Sequence, residues 1–159
     1  MNLSRLKSIL YPFLPAPVKR FWRVVRSEYL QSHRVESYAQ EGEDVILQRL
    51  LEGQGQGFYV DVGAHHPKRF SNTYLLYKKG WSGINIDATP GSMRAFQRQR
   101  PRDINLEIAI ANRPATLIFY IFDEPALNTF DEALAQDRNA TTPFRIIEQK
   151  AIPTHRLRD

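Results

Sequence analysis

The sequence contains no cysteine, which excludes disulfides and thiolate metal ligands and suits a reducing compartment such as the cytoplasm. It also lacks a stretch able to cross a bilayer, which takes about 20 consecutive apolar residues. In the first 36 residues the longest uncharged run, Ser8 to Val18, is broken by Pro12, Pro15 and Pro17, so it reads neither as a signal peptide nor as an anchor. Internal repeats and low-complexity tracts are missing. Beyond residue 36 net charge is missing too. Seven basic residues (Arg5, Lys7, Lys19, Arg20, Arg23, Arg26, Arg34) face only Glu28 and Glu36 in the leader, an excess equal to the whole +5 of the chain. A nearly neutral body argues against a nucleic-acid binder, which needs a concentrated basic patch.

What is present divides at residue 36. Residues 1–36 form a basic leader in which Val18 to Leu30 has the pattern of an amphipathic helix, with Phe21, Trp22, Val25 and Tyr29 near one another at helical spacing. Such a segment can lie on an anionic membrane surface or dock on a partner; it can equally pack on its own domain.

From Ser37 onward the pattern is regular. Glu43 to Leu51 has the composition of a short helix, with acidic residues in its first turn. Phe58 to Val62 reads as a buried strand, Ser71 as the N-cap of a helix through Tyr77 that stops at Gly80, and Gly83 to Asp87 as a second strand. A polar helix is expected from Pro90 to Arg100, its arginines on a solvated face. Ile104 to Ile110 reads as a third strand and Thr116 to Phe122 as a fourth, paired antiparallel to the third across a short turn. Asp137 to Pro143 is polar and reads as a mobile loop. Strand, helix, strand, helix, strand is the order of a doubly wound α/β sheet, which binds ligands at the carboxyl ends of its strands.

Asp61 and Gly63 stand at the end of the first expected strand, and Asp87 at the end of the second. A glycine there lets the backbone approach a cofactor closely, and an acidic residue ending the next strand can accept both hydroxyls of a ribose. A strand ending in a solvated aspartate is the simpler account of either residue alone. A dinucleotide would call for Gly-x-Gly-x-x-Gly, whereas Gly63 is followed by Ala64, His65, His66 and Pro67. A nucleoside cofactor without a pyrophosphate, such as S-adenosylmethionine, suits this loop better, although spacing alone does not decide it.

The stretches SYAQEGEDVIL (37–47), GFYVDVGAHHP (57–67), SNTYLLYKKGWSGINIDATP (71–90), RPRDINLEIAI (100–110) and the later IFDEPALNTFDEALA resemble FkbM-type methyltransferases. The resemblance runs from about residue 37 to the end. It implies a Rossmann-like class I sheet, S-adenosyl-L-methionine as donor, and oxygen acceptors on sugars or natural products such as polyketides. It also implies that Asp61, Gly63 and Ala64 form the cofactor loop, that Asp87 holds the ribose, and that Gln40 and Glu43 close over the cofactor from the preceding helix. Two departures accompany it. Family members often carry Asn where this chain has His65. The family also continues into a strand ending in Asp-x-Glu-Gly, whereas this sequence stops at THRLRD. Residues 37–159 therefore read as a partial domain.

His66 lies in the matching part and is the candidate general base toward an acceptor hydroxyl, since a histidine pKa of about 6.5 suits that task. A structural His66, bonding the loop backbone, is the alternative. Adjacent histidines in such a loop point in different directions, so no metal site is expected. The leading reading is an S-adenosylmethionine-dependent O-methyltransferase, cytoplasmic or membrane-associated through residues 18–30. Its rivals are a non-catalytic remnant acting through the basic leader and a nicotinamide-dependent oxidoreductase.

Overall fold

Residues 15–30 and 35–158 are described by the computed structural model. Arg5, Lys7, Arg34 and the proline-broken run as far as Leu14 lie outside them. The chain divides into two compact units, Met1–Glu36 and Ser37–Asp159.

In the first unit, helix α1 spans Ala16–Val25 and passes into a turn of π-helix, Arg26–Leu30. It begins where Pro15 has extended backbone and Pro17 sits in the first turn, a position whose N–H has no helical partner to lose. None of its residues is buried.

The second unit contains α2 (Glu43–Leu50), β1 (Phe58–Val62), α3 (Tyr74–Lys78), β2 (Ser82–Asp87), α4 (Met93–Gln99) and β3 (Ile104–Glu107) in that order. The three strands form a parallel sheet in the order β1-β2-β3, with Val60 opposite Ile84 and Ile84 opposite Ile104. This is a mixed α/β architecture. The Ser71 hydroxyl accepts the Tyr74 N–H and so caps α3, and Gly80, with φ of 95°, ends that helix. Trp81 then turns inward onto Tyr59 and Leu76, with Leu51 packed alongside. Gly83 sits directly opposite Tyr59, and a Cβ there would overlap both the tyrosine ring and its carbonyl oxygen.

Several expectations are corrected. The stretch Ile104 to Ile110 is not one strand. β2 ends at Asp87, so β3 loses its partner after Glu107, and Ala109–Ile110 (β4) joins a second sheet. The fourth strand, β5 (Ala115–Phe122), pairs antiparallel not with β3 or β4 but with β6 (Ile146–His155), which lies between β4 and β5. Asp137 to Pro143 is largely helical: α5 spans Glu132–Thr141, with the Asp131 carboxylate accepting the Leu134 N–H and Ala135 fully buried. Its polar composition concealed a capped helix. The helix expected from Pro90 begins only at Met93, after a turn through Gly91 with φ of 80°. β1 is not buried on both sides, because Phe58, Val60 and Val62 project from an uncovered face. Arg100, assigned to a solvated face, has no exposed surface.

Candidate cofactor site

The site forms where β1 and β2 end side by side. The amides of Gly63 and Ala64 both donate to the carbonyl of Ile86, at 2.9 and 3.0 Å, which folds the chain sharply over the end of β2. Gly63 has φ of 77°, a left-handed conformation that favours glycine, and a Cβ there would meet no protein atom within 4 Å. His65 follows in the same region, with φ of 54°, which is uncommon for a residue with a side chain. It is held there by its N–H, which donates to Asp87 Oδ2 at 2.8 Å. Asp87 Oδ1 accepts the Thr89 N–H, also at 2.8 Å. One buried carboxylate thus joins the loop after β1 to the loop after β2.

Beside it opens a cavity of about 500 Å³, bounded by Gln40, Gly63, His65 and Asp87 and closed on its apolar side by Ile86, Ile108, Phe119 and Phe130. Its volume lies within the range of small-ligand pockets, and it sits at the carboxyl ends of parallel strands. Asn128 completes the wall. Its side-chain amide donates to the Thr89 hydroxyl while its carbonyl accepts the Phe122 N–H.

Of the residues expected at this site, Gln40, Gly63 and Asp87 converge on the cavity. Gln40 reaches it from the bend before α2, not from the helix itself. Ala64 is buried against Met93 and Phe96, under the loop. Glu43 accepts the Glu41 N–H. Its neighbour Asp44, which the sequence did not single out, is fully buried and accepts the Ser37 hydroxyl and the Tyr38 N–H at 2.7 Å each, so it fixes the segment that carries Gln40. Asp61 accepts the Thr73 hydroxyl at 2.7 Å.

His66 lines a neighbouring recess, not the cavity. Its Nδ1 accepts the N–H groups of Lys68 and Arg69, at 3.1 and 2.9 Å. In the neutral ring the proton therefore resides on Nε2, and the basic lone pair is already engaged. This is the loop-bonding histidine weighed above as the alternative to a general base. His65 borders both the cavity and the recess, with a buried Nε2 that has no hydrogen-bond partner among the described residues. Burial, and then the Arg69 charge, lower its pKa from 6.5; for His66 the causes are burial and then the charges of His65, Arg69 and Lys68. Both shifts favour the neutral ring. Among the described residues no group of three or more His, Asp or Glu side chains is placed to hold a metal ion.

Beneath the loop lies a polar network that sequence reasoning missed. Arg100 donates through Nε to Asp103 Oδ2 at 2.8 Å and through Nη2 to the hydroxyls of Tyr59 and Thr73. The Tyr59 hydroxyl donates to Asp103, which also accepts the Gly83 N–H and the Asn85 side-chain amide. Burial, and then the bond to Asp103, raise the Tyr59 pKa far above its ordinary value, so the phenol remains a donor. The signal for this network was Asn85, a polar residue in the middle of the otherwise apolar strand GINID.

A family model for the methyltransferase FkbM domain matches residues 61–159. No curated protein and no solved structure matches the chain.

Proposed function

Because the chain belongs to the FkbM methyltransferase domain family, we propose that it uses S-adenosylmethionine to methylate a hydroxyl oxygen of a small acceptor, a glycan or polyketide, on a Rossmann-like class I sheet. The observation that carries the reading is the cavity at the ends of β1 and β2, bounded by Asp87 and by a loop without pyrophosphate-binding glycines. The residues present fit a nucleoside cofactor. Each Asp87 oxygen accepts one backbone N–H, which leaves acceptor capacity for two vicinal ribose hydroxyls. The left-handed Gly63 presents bare backbone to the cavity, and the apolar wall of Ile108, Phe119 and Phe130 suits a flat aromatic base. The cofactor supplies an electrophilic methyl group on a sulfonium. What the chain contributes is position, since holding the reactants in line can lower a barrier by roughly 7–11 kcal/mol. His66 serves as general base only if it gives up both of its backbone bonds.

Calorimetric titration tests this reading. S-adenosylhomocysteine should bind and NAD should not. Asp87→Ala should weaken binding by about 1.5–3 kcal/mol, the worth of a hydrogen bond to a charged group, while Lys79→Ala leaves it unchanged. Binding of NAD without S-adenosylhomocysteine overturns the assignment.

A second activity is proposed for the leader. Phe21 is 64% and Trp22 46% exposed on α1, among Arg20, Arg23 and Arg26, and among the described residues no helix is long and apolar enough to cross a membrane. This suits peripheral contact with anionic lipid, at about 1 kcal/mol per basic residue near the surface. Vesicle sedimentation should be salt-sensitive and lost in a chain beginning at Ser37; equal sedimentation of the two removes the proposal.

A further inference from the structure

Arg100 Nη2 serves two hydroxyls, and the donor inventory makes both bonds directional. Guanidinium nitrogens only donate, so the oxygens of Tyr59 and Thr73 must accept, and each hydroxyl has a single proton left to give. Tyr59 gives its proton to Asp103 and Thr73 gives its proton to Asp61.

The two carboxylates are treated differently. Asp103 is buried and takes four donors, from Tyr59, Gly83, Asn85 and Arg100. Asp61 is half-buried, and among the described residues its side chain takes one donor, the Thr73 hydroxyl, on Oδ2. It stands one residue before Val62 and two before Gly63, both of which line the cavity, with acceptor capacity to spare. A saturated carboxylate is a structural tie; one oriented from behind and left unfilled in front is arranged for a ligand. Resting on the cofactor reading above, we propose that Thr73 is a positioning residue of the cofactor site, relaying the buried Arg100 to Asp61 so that the Asp61 carboxylate is aimed at a hydrogen-bond donor of the bound ligand.

Tyr59 provides an internal control, because Tyr59→Phe removes the other hydroxyl on the same arginine nitrogen and leaves the Asp61 branch intact. In the full chain, Thr73→Val should weaken S-adenosylhomocysteine binding at least tenfold, Thr73→Ser should restore it to within about twofold, and Tyr59→Phe should lower stability without changing affinity. Asp61→Asn should lose as much affinity as Thr73→Val, and the double variant no more than either. If Thr73→Val does not fold, Asp61→Asn and Thr73→Ser carry the test: Asp61→Asn should still lose at least about tenfold in affinity, and unchanged affinity there overturns the proposal. A readout without ligand is the carboxyl ¹³C resonance of Asp61, which should move in Thr73→Val and stay in Tyr59→Phe. If the resonance moves but the wild-type chain binds no adenosyl ligand, the cofactor reading falls and the orienting contact stands. If ligand binds and Thr73→Val changes neither affinity nor resonance, or if Tyr59→Phe costs equal affinity, the positioning role is overturned.

Discussion

The two faces of the parallel sheet invert the usual arrangement. One face carries Tyr59, Asp61, Asn85 and Asn105, and it is the face sealed by Arg100 and Thr73. The other carries Phe58, Val60, Val62, Ile104 and Leu106, exposed on the two outer strands, with Ile84 and the buried Ile86 on the central strand between them. On the first face polar groups are buried, and on the second the apolar side chains of the outer strands β1 and β3 face outward. The difference teaches that burial on this sheet follows hydrogen-bond closure, not hydropathy alone. A charge costs several kcal/mol to bury unless it is paired, and Arg100 is paired on every branch while the rings of Tyr59, Tyr77 and Phe96 pack around it at 5.3–5.5 Å.

The largest expected effect comes from breaking the closed face. Arg100→Met leaves Asp103 buried without its cation and should cost about 3–5 kcal/mol in denaturant-induced unfolding. A loss below about 1 kcal/mol would mean that the two faces do not differ in the way described. Next comes Gly83→Ala, which forces a methyl group into the Tyr59 ring and carbonyl and should cost about 1–3 kcal/mol by the same measurement.

A smaller effect separates the closed face from the loop above it. The folded-state pKa values of His65 and His66 lie below the ordinary 6.5, so the unfolded chain binds protons first as pH falls. Their contribution to stability is complete above about 6.5 and is lost as pH falls through the lower folded values. Thermal unfolding between about pH 8 and about pH 5 should show a downward slope that His65→Gln reduces and Val60→Thr does not. An identical slope in His65→Gln would assign the dependence elsewhere. The smallest effect belongs to the open face: Val60→Thr, which keeps a β-branched side chain on an exposed strand position, should change stability by no more than about 0.5 kcal/mol.

Much of this was legible in the residues. The span of β1, the end of α3 at Gly80, and the placement of Gly63 and Asp87 at adjoining strand ends all rest on neighbours a few residues away. The errors arose where partners were distant. Ile104 to Ile110 has one apolar pattern throughout, yet Glu107 is the last residue with a partner on β2, and Ala109 pairs with Thr154. Arg100, in a run of arginines, looks like its solvated neighbours.

By itself the sequence determined the alternation of strands and helices, the acidic residue ending β2, and the absence of a pyrophosphate loop, because each depends on local periodicity or on residue types at fixed short spacing. Only the tertiary structure decided that Arg100 is buried, that Thr73 turns its hydroxyl proton toward Asp61, and that the Nδ1 lone pair of His66 is spent on its own loop. The physical reason is separation along the chain. Arg100 meets Thr73 across 27 residues and Tyr59 across 41, and a hydrogen bond between such positions exists only once the sheet and its helices have brought them together.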